Sequence, residues 1–310
     1  MKKFFYILCV LLLINCQKEI EFDLPDVEQT FVLEAVVESG LPPRVIVTNT
    51  QGYFDPLDSN SFLNMFVDNA MVELHDGDTT FELVYSFVNS NGVILPGYTS
   101  FDPEIIGQYG KNYTLHVQVG DKEAHAKAQI PHPVILDSLW FFAYEAYDSL
   151  GFIWAKFTDP DTVGNCYRWF AQRINSYTYN YYDDDGNITH DVIGKMKDRR
   201  PLAPIGSSTD DKLFNGLSFD FAVPRGEDGI LIGPDDQGPE RGFYKRGDTV
   251  LVKSTTTTYP TYLYVRAMEN QAVSNGSIFS SPGNLPYNVE GDGLGVFIGY
   301  GVSYDTLICE

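Results

Sequence analysis

The 310-residue chain carries 42 Asp and Glu against 21 Lys and Arg, a formal charge of −21. Nucleic-acid binding rests on Lys and Arg meeting phosphate, so this balance argues against a nucleic-acid partner. A hydrophobic fraction of 44%, with 20 Tyr and 21 Phe, excludes a disordered chain and favours strands, and the length is enough for two ordinary domains.

Met1-Lys2-Lys3 precede an apolar run over residues 4–14, broken only by Tyr6 and Cys9. This is the charged start and apolar stretch of a secretory signal. It is too short for a membrane span, which needs about 20 residues. The run stops at Asn15-Cys16 and a charged stretch. Leu13-Ile14-Asn15-Cys16 resembles a lipobox, where bacterial lipoproteins are diacylated on Cys and cleaved before it; Asn15 stands where a smaller residue is usual. The resemblance implies a signal peptide over 1–15, a lipid on Cys16 and a tether over 16–29. Two acyl chains on one residue anchor a protein stably. Lys18-Glu19, with Glu21 and Asp23 behind, resembles the charged export signal of Bacteroidota surface lipoproteins. It implies the extracellular face of the outer membrane. The blander readings are an ordinary signal peptide and a plain polar tether.

Residues 30–131 read as an immunoglobulin-like β-sandwich. Residues 31–38 alternate, with Phe31, Leu33 and Ala35 against Val32, Glu34 and Val36. Gly40 to Pro43 turn the chain into a strand over 45–48. Residues 70–75 and 79–85 form a hairpin around Asp76-Gly77, a strong two-residue turn signal. A second hairpin runs over 113–130 around Gly120-Asp121. Its pairs sum to 241, so His116 lies opposite His125 on the polar face, with Tyr113, Leu115, Val117, Ala124, Ala126 and Ala128 inward. Two imidazoles are too few ligands for zinc, which takes three or four, and the pair reads as two exposed histidines. Pro131-His132-Pro133 breaks the pattern and marks a domain boundary.

Residues 133–310 read as a second β-rich, sandwich-like domain with long loops and at most short helices. Strands are expected over 134–142, 152–157, 166–173, 217–222 and 249–254, and a helix over 261–271. The Gly-rich end, 291–302, reads as a final strand packed closely on another backbone. Tyr177, Tyr179 and Tyr181 share one face of a strand; that face is core, a partner interface or a surface for stacking on ligands. Asp183, Asp185 and Asn187 have the opening spacing of a calcium loop. Ile188 stands where that loop needs Gly and Gly194 where it needs Glu, so an acidic turn is the better reading. The loop 159–165, with Asp159 and Asp161, has the same ambiguity. Arg246-Gly247-Asp248 is an adhesion tripeptide, but Gly-Asp also explains itself as a turn.

Of four cysteines, Cys9 falls in the signal and Cys16 takes the lipid. Cys166 and Cys309 remain, to form a disulfide in an oxidising compartment or to stay as two buried thiols. No nucleophile elbow, zincin motif or phosphate loop is present. Neither a catalytic residue nor a cofactor is nominated, calcium aside.

Several separated segments together resemble a Bacteroidota outer-membrane lipoprotein family of unknown function, often encoded beside TonB-dependent receptors. They are Cys16-Gln17-Lys18-Glu19 leading to Leu24-Pro25, and Phe31-Val32-Leu33-Glu34-Ala35. They continue with Asn165-Cys166-Tyr167-Arg168-Trp169, Asp211-Lys212-Leu213-Phe214-Asn215-Gly216 and Gly247-Asp248-Thr249-Val250. The last are Asn284-Leu285-Pro286 and Gly293-Leu294-Gly295-Val296-Phe297. Cys166 stands where the family has an aromatic, which favours a bridge particular to this chain. The resemblance implies a lipid-anchored, non-enzymatic accessory to a TonB-dependent β-barrel, capturing substrate or capping the barrel. A stand-alone binding or adhesion module is the alternative, and a hydrolase a remote one.

Overall fold

The computed structural model describes residues 30–51, 58–90, 93–175, 179–182, 188–191, 197–198, 200–226, 241–274 and 284–310. The signal over 1–15, Cys16, the tether, Tyr177, Asp183, Asp185 and Asn187 lie outside them, as do the side chains of Tyr179 and Tyr181.

The fold is all-β. β1 (Phe31–Glu38) and β2 (Arg44–Asn49) form an antiparallel pair, and a short helix, α1 (Ser59–Asn64), follows. β3 (Met71–His75) and β4 (Thr80–Glu82) are joined by a four-residue loop rather than the expected two-residue turn. Asp76 is the reason. Its Oδ1 accepts from the backbone N–H of Asp78 and Thr79 at 3.0 and 2.9 Å, closing an Asx turn. The expected single strand over 79–85 is split at buried Leu83, where the chain changes sheet. It continues as β5 (Val84–Ser90) and β6 (Val93–Thr99), then as the hairpin of β7 (Asn112–Val119) and β8 (Lys122–Gln129). Its register is the expected one, with Val119 opposite Lys122 and His116 opposite His125.

β9 (Ser138–Tyr144), β10 (Tyr147–Thr158) and β11 (Cys166–Arg173) follow. β12 (Tyr179–Tyr182) and β13 (Ile188–Asp191) pair, among the described residues, only with each other. Then come β14 (Ser208–Asp210), β15 (Ser218–Val223), β16 (Tyr244–Lys245) and β17 (Thr249–Thr257). Helix α2 (Tyr259–Ser274) covers the expected 261–271 and begins earlier. Pro260 fits a first turn, where its missing N–H is no loss. The helix buries Thr261, Tyr262, Val265 and Glu269, one face at helical spacing. β18 (Val289–Gly291) and β19 (Leu294–Ile308) end the chain.

One sheet runs β14-β11-β17-β19-β1-β2-β6-β5. A five-stranded sheet, β18-β8-β7-β3-β4, packs on its β1 end and encloses the first core, with Phe31, Leu33, Val72, Leu115 and Phe297. A third sheet, with β10 flanked by β9 on one side and by β15 and β16 on the other, encloses the second core, with Phe157, Tyr167, Trp169, Val252 and Cys309.

The expected boundary at 131–133 therefore separates two cores but not two sheets. β19 pairs in parallel with β1, and β18 pairs with β8. Residues 30–131 do not close their own sandwich; the C-terminal strands complete it. β19 manages this through the two-residue period of a strand. Phe297 enters the first core, and Leu307 and Cys309 face the second. Val296, Ile298, Tyr300 and Val302 form a third cluster with Val36 and with Tyr264 of α2. The expected close backbone packing is present: a Cβ on Gly299 would lie 1.9 Å from the Gln129 carbonyl oxygen, and one on Gly301 2.0 Å from that of Pro131.

Candidate functional site

The face of the large sheet opposite its two cores carries a continuous row of functional side chains. Register sets it. Phe170 of β11 pairs with Lys253 of β17, and Lys253 with Tyr304 of β19. Glu38 of β1 pairs with Tyr300 of β19, and Arg44 of β2 with Val36. Lys253 sits between Val252 and Ser254, so it alternates away from the second core.

Glu38 is the centre of the row. Lys253 Nζ donates to its Oε1 over 2.7 Å, and the Tyr304 hydroxyl to the same oxygen over 3.2 Å. Arg44 Nη2 lies 3.6 Å from Oε2. Burial pushes the Lys253 ammonium pKa below its ordinary value, and Glu38 opposes that shift. The Phe170 ring has Arg168 at 4.9 Å and Lys253 at 5.2 Å from its centroid, within cation–π reach. Arg168 also reaches α2, with Nη2 3.9 Å from Glu269 Oε1.

Two adjoining hollows open over this row. One, of about 440 Å³, is walled by Leu41, Pro42, Phe87, Phe101, Phe170 and Tyr304. The other, of about 290 Å³, lies toward Tyr264, Val265 and Met268 of α2. They share Glu38, Arg44, Phe170, Pro201 and Lys253. Phe87 and Phe101, at the rim, are more than two-thirds exposed. Apolar walls with a few convergent polar groups are the makeup of a small-molecule site. Arg44, Arg168, Arg200 and Lys253 outnumber Glu34 and Glu38 in the lining. In a chain with twice as many acids as bases, the cleft inverts the ratio and favours an anionic ligand.

The sequence-expected residues lie elsewhere. Cys166 and Cys309 are both free and buried, and the expected bridge is corrected. Cys166 pairs with Thr257, while Cys309 follows Ile308, which pairs with Thr249. Those partners lie eight residue steps apart along β17, roughly 26 Å of strand, against a limit near 7 Å between bridged Cα atoms. Asp159 and Asp161 are engaged internally: Asp159 accepts from the Tyr167 hydroxyl and the Gly216 N–H, and Asp161 from Asn215. Asp211 pins the same loop, accepting from the N–H of Gly164 and Asn165. The adhesion tripeptide is unavailable, because Asp248 is buried and paired with Lys197 over 2.6 Å. Tyr179 and Tyr181 fall on β12, opposite Asp191 and Thr189.

Sequence reading did not single out Glu38, Arg44, Phe170 or Lys253; of the cleft lining, Glu34, Arg168 and Val296 stand in segments that carry the family resemblance. Lys253 was the available signal: a lysine inside an apolar and Thr-rich strand.

Fold and cleft together define an all-β protein with two cores, one shared sheet and a cationic, aromatic-walled hollow on its open face. Its sequence places it among relatives: the chain belongs to the family of the domain of unknown function DUF4249, whose profile matches residues 17–306. No curated protein matches the chain.

Proposed function

We propose that this protein is a surface lipoprotein of the outer membrane, anchored through Cys16, and a non-enzymatic accessory to a TonB-dependent transporter. The cleft over Glu38, Lys253 and Phe170 carries the capture part of this reading. It is large enough for a small ligand, has apolar walls, and holds more cations than carboxylates. Its ligand class is an amphipathic molecule bearing an anionic group. Glu38 is committed to Lys253, Arg44 and Tyr304, which favours holding a ligand over acid–base chemistry. The anchor rests on the apolar run ending at Cys16, and the barrel partner on the family resemblance.

A stand-alone binding module is the second reading. It is favoured by the aromatic rim of the cleft, where Phe87 and Phe101 are exposed as a ligand-facing surface would be.

Surface labelling of intact cells tests the location, with Cys16→Ala as the control. The wild type is labelled and found in the outer membrane; the variant, which can take no lipid, is neither labelled at the surface nor found in the outer membrane. Wild-type protein shielded from label in intact cells overturns the surface assignment.

A further inference from the structure

The outer face of the five-stranded sheet carries one ionisable side chain per strand in a single row. Register places Glu82 of β4 opposite Glu73 of β3, Glu73 opposite His116, His116 opposite His125, and His125 opposite Glu290 of β18. One step along the same strands, Leu74, Leu115, Ala126 and Val289 enter the first core, so the pleat turns the row outward. Glu123, two residues before His125, joins from the diagonal, its Oε2 3.6 Å from His116 Nε2. Ligand atoms of His116, Glu123 and His125 all lie within 4.8 Å of one another.

The two imidazoles are stacked, with centroids 4.5 Å apart and planes 9° from parallel. His116 is oriented for ligation. Its Nδ1 lies 3.2 Å from Glu73 Oε2, and an ionised carboxylate only accepts. With Nδ1 directed at Glu73, Nε2 is the nitrogen turned toward Glu123. That Nε2 is shielded from water and has no hydrogen-bond partner, an uncommon state for a buried polar atom. A carboxylate behind an imidazole is the usual support of a metal-bound histidine. The row also sets Glu73 directly opposite Glu82, a like-charge pair that costs stability and that a nearby cation offsets.

We infer that His116, His125 and Glu123 form a binding site for a divalent transition-metal ion, with Glu73 as a positioning residue for His116. Imidazole suits zinc, copper and nickel, whereas calcium takes oxygen ligands. Zinc bonds of 2.0–2.2 Å set tetrahedral ligand atoms about 3.3 Å apart. The exposed Glu123 and His125 side chains close by about an ångström or more to meet it. Three protein ligands leave a fourth position open.

The test is titration of the full chain with zinc, in mild detergent and without a histidine tag, by calorimetry and by competition with a chromophoric chelator. One zinc per chain is expected at micromolar affinity, with a rise in melting temperature. His116→Ala and His125→Ala each remove the binding while keeping the metal-free melting temperature. Glu73→Ala weakens it by at least about tenfold at unchanged stoichiometry. His75→Ala, which changes an exposed histidine outside the cluster, leaves it intact. Failure to take up zinc in excess, or uptake that persists in the double variant lacking His116 and His125, overturns the site.

Discussion

Lys253 Nζ lies 2.7 Å from Glu38 Oε1, a contact between residues 215 positions apart. The side chains are 10% and 3% exposed. Removing one partner of such a buried pair strands the other. Lys253→Ala or Glu38→Ala is expected to destabilise by about 3–5 kcal/mol. Replacing both, as Glu38→Leu with Lys253→Met, costs less than the sum of the single changes. A urea-unfolding double-mutant cycle measures this, and strict additivity would show that the pair is not coupled.

Gly299 is where the C-terminal strand crosses the chain between the two cores. Its missing side chain lets the Gln129 carbonyl oxygen approach to where a Cβ would be. Backbone cannot yield as a side-chain tip can. Gly299→Ala is expected to cost about 3 kcal/mol. It also lowers the protein's resistance to proteolysis in both halves, because the strand serves both cores. Proteolysis confined to one half would contradict that coupling.

Asp76 gives the fold an acid-sensitive turn. A hydrogen bond from Lys111, then that from the Thr79 N–H, holds its carboxyl at about 2. The ordinary value is about 3.9. The folded value is the lower one, so the contribution is fully present above about pH 4. It is lost as pH falls toward about 2. Asp76→Ala is expected to cost about 1 kcal/mol near neutrality. The gap to the wild type closes across that acid window. Denaturant midpoints taken down the pH scale check it, and a gap that stays constant into acid contradicts the assignment.

Cys166 and Cys309 are buried, and burial pushes both thiols up to about 12. Thiolate is the reactive form, so neither reacts with a thiol reagent in the folded protein. Unfolding in urea without reductant exposes both. A requirement for reductant would restore the disulfide.

Local pattern carried much of the fold. The bounds of β1 follow from its alternation, the His116–His125 register from a two-residue turn, and the close packing of β19 from its glycines. The joining of β19 to β1 was not legible, because parallel pairing across most of the chain leaves no local trace. The cleft was hidden for a related reason. Lys253 alternates with Val250 and Val252 and looks like the solvent side of an ordinary strand. Only the fold brings Glu38, Arg44 and Phe170 around it. The disulfide expectation failed because compartment and cysteine count say nothing of distance. The metal cluster was half legible: the turn gave two histidines, and Glu123 sits two residues before His125 on the same strand, its diagonal reach to His116 passed over, while Glu73 enters from a third strand.

An accessory of a TonB-dependent transporter stays with its barrel when the C-terminally tagged protein is isolated from gently solubilised outer membranes and what accompanies it is identified by mass spectrometry. A TonB-dependent barrel in equal amount is the expected result, retained when Phe170→Ala opens the cleft. Recovery of the protein alone in several mild detergents would contradict the accessory role and leave the cleft to a module that binds its ligand unaided.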